Sequence, residues 1–158
     1  MNDFKKFYSE HKGKLFFYLM RLTGNYYLSN DILQESFTRY LEHYGDQKKG
    51  VSLLYTIARN ALFDATRRKK HEYCINEDHA DLSKNQEHSL MIRQEYRNVL
   101  SAMQRLDEDE RDILSLTISG DLKYKDIATI TGISEGTIKV KVHRARIKLK
   151  EILKKGEF

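Results

Sequence analysis

Apolar side chains recur every three or four positions along almost the whole chain, which is the spacing that places them on one face of an α-helix. Residues 134–153 show the pattern most clearly, with an apolar band narrower than about 100° on a helical projection. That band consists of Ile138, Val142, Ala145, Leu149 and Ile152. No convincing alternating run predicts a strand, and the chain contains no proline. The pattern therefore predicts an all-α fold.

The N-terminal half contains three stretches with this helical spacing. Gly24 and Asn25 end the first stretch, which consists of one or two helices. Ser29 is the expected N-cap of the next helix because its hydroxyl can accept a hydrogen bond from a backbone N–H in the first turn. A polar loop bracketed by Gly45 and Gly50 precedes the third. These predicted helices cover about residues 4–23, 29–44 and 52–70.

The middle of the chain differs from both ends. Residues 72–90 have few apolar side chains and no periodic face, which is typical of a flexible linker. Apolar periodicity then returns, with an expected capping box over residues 107–110 and a core face that includes Ile118. We therefore predict two small helical domains, residues 1–71 and 91–158, joined by this linker.

The C-terminal domain contains the spacing of a helix-turn-helix. Residues 122–130 have the pattern of a short amphipathic helix, Gly132 follows in a tight turn, and Ser134 can cap the next helix. A short turn between crossed helices needs a residue that accepts a positive φ, which glycine does without strain. We expect the second helix, beginning near Ser134, to contact DNA.

Charge is distributed unevenly along the chain. The net charge is only +5, yet residues 134–155 contain eight Lys and Arg against two Glu, a net of +6. Residues 59–71 contain five Lys and Arg against one Asp, a net of +4, whereas residues 72–112 have a net charge of −6. Two separate basic surfaces favour a polyanionic partner such as nucleic acid over general surface basicity.

Several other classes of protein lack support in the sequence. The N-terminus has no signal peptide and no apolar run reaches membrane-spanning length, so we expect a soluble, cytoplasmic protein without membrane insertion. Cys74 is the single cysteine and cannot form an internal disulfide. Together with His71, His79 and His88 it matches no compact zinc spacing. No phosphate-binding loop or nucleophile–base motif occurs, so we expect no cofactor, metal or enzymatic activity.

Three ordered blocks identify a resemblance. They are DILQESFTR at residues 31–39, LYTIARNALFD at residues 54–64 followed by Arg67 and Arg68, and residues 106–146. In this order they resemble the extracytoplasmic-function (ECF) group of the sigma-70 family, the specificity subunits of bacterial RNA polymerase. The chain departs from the family pattern at Leu53, often tryptophan, at Lys123, commonly a capping serine, and at Val140-Lys141, frequently Ser-Arg. Promoter preference therefore does not transfer.

The resemblance implies a role for each block. The first implies that the sigma region 2 domain docks on the β′ clamp helices of core RNA polymerase through Asp31, Gln34, Glu35 and Arg39. From the helical pattern alone, these four residues would be ordinary solvated positions. The second implies reading of the promoter minus-10 element, with capture of an exposed base, by the 45–50 loop and by Asn60, Asp64, Arg67 and Arg68. The third implies a sigma region 4 domain that binds the β flap and the minus-35 element, the latter through Thr137, Lys139, Val140, Lys141, His143, Arg144 and Arg146. An anti-sigma factor is a further partner that the family implies.

Two other functions remain alternatives at this point. A stand-alone helix-turn-helix regulator would dimerise on palindromic DNA and bind duplex tightly without polymerase, whereas a sigma factor needs the core enzyme. A small nuclease would need a carboxylate or histidine constellation to hold a metal, which the spacing does not provide.

Overall fold

The computed structural model describes residues 2–45, 50–72 and 94–156, and within these ranges all regular structure is helical. The helices are α1 (Asn2–Thr23), α2 (Tyr26–Tyr44), α3 (Val51–Glu72), α4 (Gln94–Met103), α5 (Glu108–Ile118), α6 (Tyr124–Thr131) and α7 (Glu135–Lys155). The all-α prediction is confirmed. Loop residues 46–49, most of the predicted linker, Cys74, His79 and His88 lie outside the described residues.

Helices α1, α2 and α3 form the N-terminal half around an apolar and aromatic core. Leu15, Leu19 and Leu54 are fully buried, and Ile32 and Phe37 nearly so. Close aromatic pairs extend this core toward the start of α1, with Phe7 stacked on Tyr40 and Tyr8 edge-on to Phe37, at centroid separations of 4.8 and 4.7 Å. Each such pair contributes about 0.5–1.5 kcal/mol beyond its buried area. This packing fixes the outward faces of α2 and α3.

The start of α2 corrects one sequence prediction. Asn25, and not Ser29, is the N-cap, because its extended backbone directs Oδ1 to accept from the Leu28 N–H at 3.1 Å. Ser29 is buried within the helix, where its hydroxyl pairs with that of Thr23 at 2.9 Å. Asn caps helices as well as Ser does, so the earlier residue starts the helix directly after Gly24. The stretch before it is one continuous helix, α1.

Helices α5, α6 and α7, beside α4, surround the C-terminal part of the apolar core, which is continuous with that of the N-terminal half. Ile113, Ile127 and Ala145 are essentially fully buried there, as are Ile138 and Val142 on α7. Ile118 was predicted to join this core but is 46% exposed. It lies about 200° around the helix from the buried Leu116, so its side chain faces away from the core. Burial of the apolar band on α7 leaves the basic side of that helix facing outward.

The helix-turn-helix is confirmed between α6 and α7. Gly132 adopts φ of 76° and its N–H donates to the Ala128 carbonyl at 2.9 Å, which closes the end of α6. Ser134 then caps α7 by accepting from the Thr137 N–H at 3.3 Å. Glu110 similarly accepts from the Asp107 N–H at 3.3 Å at the start of α5, as the expected capping box requires. These local bonds set the angle at which α7 is presented.

The two halves pack directly against each other, an arrangement we call the closed arrangement. Helix α1 contacts α4 and α5, and α3 contacts α6. Buried polar side chains line this contact, among them Arg21, Asp112, Ser115 and Ser119. The sequence predicted two domains but no contact between them. Within the described ranges, none of the helices combines the length and the apolar character needed to cross a membrane.

Substituting Gly132 with Ala should destabilise the protein by about 1–2 kcal/mol, because a Cβ is disfavoured at its positive φ. Nothing lies within 4 Å of the added atom, so the cost is conformational and not a clash. Gly136→Ala is the matched control, since Gly136 is helical and its added Cβ also meets nothing within 4 Å. That change should stabilise by roughly 0.5 kcal/mol. Urea unfolding measures both; a shift of the same sign for the two variants contradicts this account.

Candidate nucleic-acid interfaces

Helix α7 presents one basic surface, anchored by its buried apolar band. The predicted side chains on it are exposed, apart from Lys141, which is half-buried. We refer to this set as the α7 surface: Thr137, Lys139, Val140, Lys141, His143, Arg144 and Arg146. Its N-terminal part lies directly after the turn, where a recognition helix meets base edges. The predicted spacing therefore places these groups on an accessible face, supported from behind by a rigid core.

Two contacts distinguish the ends of this helix. Lys139 lies with its Nζ 5.9 Å from the centroid of the Tyr124 ring on α6, a position that favours a cation–π contact. Lys148 instead pairs with Glu110 at 3.0 Å and with Asp107 at 3.7 Å. The hydrogen bond to Glu110 raises the pKa of Lys148. Positive charge at Lys148 is thus partly neutralised within the protein.

Helix α3 presents a second surface. Asn60, Asp64, Arg67 and Arg68 are all exposed, at spacings that place them on one side of the helix. We call these four residues the α3 surface. Leu54 and Ala58, with Ala61 and Leu62, are buried on the opposite side. The side chains of Lys69, Lys70 and His71, and loop residues 46–49, lie outside the described residues, so the extent of this surface beyond Arg68 stays a prediction.

Arg59 has a different environment from its neighbours on α3. Its guanidinium lies 4.6 Å from the centroid of the Phe63 ring, and its Nε donates to Asp112 Oδ2 at 2.7 Å. The Tyr18 hydroxyl donates to the other oxygen of Asp112, also at 2.7 Å. Burial and, after it, the nearby Asp112 carboxylate raise the pKa of Tyr18 well above its usual value. Tyr18 therefore remains a neutral donor to the carboxylate.

Sequence reasoning missed this buried cluster. Asp112 and Ser115 on α5 and Ser119, which directly follows that helix, are spaced by three and four positions and form a polar stripe, which by itself is typical of a solvated face. All three are nevertheless buried against the N-terminal half. Arg59 and Asp112 are separated by 53 positions in the chain. Their contact is visible only in the three-dimensional structure, because no local sequence pattern relates residues so far apart in the chain.

Helix α2 presents a third group of predicted residues, which we call the α2 surface: Asp31, Gln34, Glu35 and Arg39. The first three are exposed, and Arg39 is partly covered by its ion pair with Glu35 one turn earlier. An exposed pair of this kind adds less than about 1 kcal/mol to stability. It instead fixes the positions of two opposite charges on a surface open to a partner. The α2 surface lies on the same half as the α3 surface, and the α7 surface lies on the other.

Comparison with known proteins agrees with this geometry. The family model for Sigma-70 region 2 matches residues 7–72, and that for Sigma-70, region 4 matches residues 96–149. The ECF RNA polymerase sigma factor SigM of Bacillus subtilis (strain 168) is 33% identical over 153 residues, covering 94% of each chain. The RNA polymerase sigma factor CarQ of Myxococcus xanthus is 30% identical over 159 residues, covering 95% of this chain and 88% of CarQ.

A solved structure extends the likeness to three dimensions. The sigma factor RpoE, in its co-crystal structure with the anti-sigma factor NepR from Bartonella quintana, overlaps with a TM-score of 0.77 at 23% identity, covering 98% of both chains. At that identity the likeness concerns the fold, including its whole-chain arrangement. Because two sigma-70 models match successive parts of the sequence and SigM matches nearly its whole length, the chain belongs to the ECF group of the sigma-70 family of RNA polymerase sigma factors.

Proposed function

We propose that this chain binds core RNA polymerase and directs it to two-part promoters, the α3 surface reading the minus-10 element and the α7 surface reading the minus-35 element. The domains are residues 1–71 as region 2, residues 72–90 as the linker and residues 91–158 as region 4. The observation that carries the proposal is the presence of two exposed, rigidly supported surfaces of different chemistry on the two halves of one sigma-family chain.

The α7 surface suits duplex DNA. An α-helix fits the major groove of B-DNA, which is about 12 Å wide. Arg144 can form a bidentate pair with a guanine edge, whereas Val140 offers only an apolar contact such as a thymine methyl. Lys139, Lys141 and Arg146 supply positive charge for the phosphates on either side. Reading of base edges and backbone positioning are thus divided along one helix.

The α3 surface suits a separated strand. Bases that leave the stack expose edges that amide and carboxylate groups can hydrogen-bond, and the accompanying backbone needs positive charge. Asn60 and Asp64 provide the first kind of group, and Arg67 and Arg68 the second. A single exposed base captured next to this basic track would favour local opening of the duplex. Loop residues 45–50 belong to the same proposed site.

Partner contacts complete the proposal. The α2 surface docks on the β′ clamp helices of core polymerase, with Glu35 and Arg39 offering charges of both signs, and region 4 contacts the β flap. An anti-sigma factor is a further proposed partner, since RpoE, which shares the fold, was solved in complex with one. These partners place the protein in the cytoplasm. The chain itself performs no chemical step in this account, because strand opening is driven by binding.

Dependence on the core enzyme separates this proposal from a stand-alone regulator. Electrophoretic mobility shift of promoter fragments, with and without purified core polymerase, should show a specific complex only when core is present. A nuclease would instead shorten labelled DNA when Mg²⁺ is added. Tight, specific binding to palindromic duplex by the chain alone would contradict the sigma-factor proposal and support the regulator.

Arg144→Ala should weaken recognition of the minus-35 element by about 10-fold, because losing one base-edge contact costs about 1–3 kcal/mol. The measurement is the affinity of the polymerase complex for promoters selected from a fragment library, compared with the same promoters carrying a scrambled minus-35 element. Lys154→Ala, an exposed cation at the far end of α7, is the control and should weaken both DNAs equally. A loss for Arg144→Ala that is the same on both DNAs contradicts base reading by this residue.

Asn60→Ala should impair opening at the minus-10 element, with about a 10-fold lower rate of open-complex formation on duplex promoters and a smaller loss on pre-melted ones. Capture of an exposed base offsets the energy of unpairing, a step that the pre-melted template no longer requires. Stopped-flow fluorescence of a promoter-attached probe measures both rates. Gln94→Ala removes another exposed amide, on α4, and should change neither. Equal losses on the two templates would count against the assignment of Asn60.

A further inference from the structure

The closed arrangement cannot span a two-part promoter. The two elements are about 25 base pairs apart by their positions, which is roughly 85 Å of B-DNA at 3.4 Å per base pair. A compact chain of this length has a radius of gyration of roughly 15 Å, so it is only about 40 Å across. Because α3 packs against α6, the helix that precedes α7, the two DNA-binding surfaces belong to neighbouring parts of one body. The halves must therefore separate before both elements are bound.

We infer that Asp112 is an interdomain latch: its carboxylate, held between Tyr18 of α1 and Arg59 of α3, keeps the chain closed when no partner is bound and keeps Arg59 away from nucleic acid. Contacts of α1 with α4 and α5, and of α3 with α6, hold the halves in the closed arrangement. The need to open rests on the proposed function, whereas the latch itself rests only on contacts between the two halves.

The Asp112 contacts have the geometry of a strong polar clamp. Both carboxylate oxygens accept hydrogen bonds of 2.7 Å, one from a neutral hydroxyl and one from a guanidinium. Only 4% of the Asp112 side chain and 20% of the Arg59 side chain are exposed. Charge-assisted bonds shielded from water are the stronger kind. Losing one partner leaves the other as an uncompensated charge in a buried position, which strongly favours separation of the two halves.

Around the latch, polar contacts join the halves alongside buried apolar packing that continues from one half into the other. Arg21 donates to the Ser115 carbonyl at 2.9 Å and to the Ser119 hydroxyl at 3.1 Å, and Arg111 donates to the Leu22 carbonyl at 3.3 Å. At the edge, Asp121 accepts from Lys14 and lies 3.2 Å from the His11 ring nitrogen. Water can replace every one of these partners when the halves separate. This polar part of the interface favours a reversible contact, because water can solvate these groups once the halves separate.

Closing also has a cost that keeps the latch reversible. Within the described residues, Arg21 Nε and Ser115 Oγ are buried without a hydrogen-bond partner. Burial also lowers the pKa of Arg21, because its cation lies away from water. Groups in this state favour the separated form, in which water solvates them. The Asp112 bonds counteract that tendency, so removing them should shift the balance toward opening.

The latch also competes with nucleic acid for the same cation. Arg59 directly precedes Asn60 on the α3 surface and stacks near Phe63. The Arg59 Nε already donates to a carboxylate oxygen of Asp112. A DNA phosphate would offer the same donor an anionic oxygen of the same kind. Separation of the halves releases a guanidinium beside an aromatic ring, a combination that binds single-stranded nucleic acid. Opening and strand binding are therefore coupled through one residue.

Single-molecule energy transfer on the full chain tests the latch. Dyes are attached to cysteines replacing Glu42 on α2 and Lys150 on α7, both exposed, after Cys74→Ser removes the native thiol. The free wild-type chain should give predominantly one high-transfer population. Asp112→Ala should raise the ratio of open to closed molecules by about 100-fold. Asp109→Ala, which removes an exposed carboxylate from the same helix, should leave that ratio unchanged.

Tyr18→Phe provides a second, milder variant that keeps the aromatic ring and removes only the hydroxyl donor. It should raise the open ratio by about 10-fold, and circular dichroism verifies that both variants remain helical. If Asp112→Ala fails to fold, the open-to-closed ratio of Tyr18→Phe alone decides whether the latch exists. A wild-type chain that is already mostly open, or variants with the same ratio as Asp109→Ala, would overturn the latch. A different outcome separates the latch from the proposed function. If the variants lose the closed population but the energy transfer of no chain changes when core polymerase and promoter are added, the latch is supported and the proposed function is contradicted.

Discussion

A buried carboxylate of the C-terminal half, that of Asp112, accepts hydrogen bonds from two helices of the N-terminal half. Asp112 is stable in that position only because donors from α1 and α3 reach both of its oxygens. The N-terminal half thus supplies the hydrogen-bond donors that this carboxylate of the C-terminal half needs, so the polar part of the contact is specific. Buried polar pairs add little net stability compared with apolar packing, but they impose a particular geometry. In this chain that geometry is the closed arrangement.

The apolar cores have a separate role. Leu54 and Ala58 support α3, while Ile138 and Val142 support α7, and all four are buried. Separation of the halves can leave both surfaces intact, because α3 also packs on α2 and α7 also packs on α5, each within one half. Once one surface is bound, the tether raises the effective concentration of the other, so two modest recognition events combine into a selective one. A molecule built in this way needs rigid halves and an adjustable distance between them.

Much of the local architecture followed from the sequence, and the arrangement of the halves did not. Helical spacing predicted the helices, and Gly132 with Ser134 predicted the helix-turn-helix, since turns and caps depend on adjacent residues. Ser29 was mistaken for a cap because two residues of similar capping strength compete within one turn. The faces of α3 and α7 were predictable because periodicity separates buried from exposed positions. The Arg59–Asp112 contact was not, since it joins distant helices through a polar stripe that resembles a solvated surface.

The most direct test of the central claim is transcription in vitro with purified core polymerase, in the presence and absence of this protein. The template is a genomic fragment library, and the transcripts are read by their start sites. The account predicts new start sites that appear only with the protein and share two upstream elements at a fixed spacing of about 25 base pairs, roughly 85 Å of duplex. The absence of new starts, together with no binding to core polymerase, would contradict it.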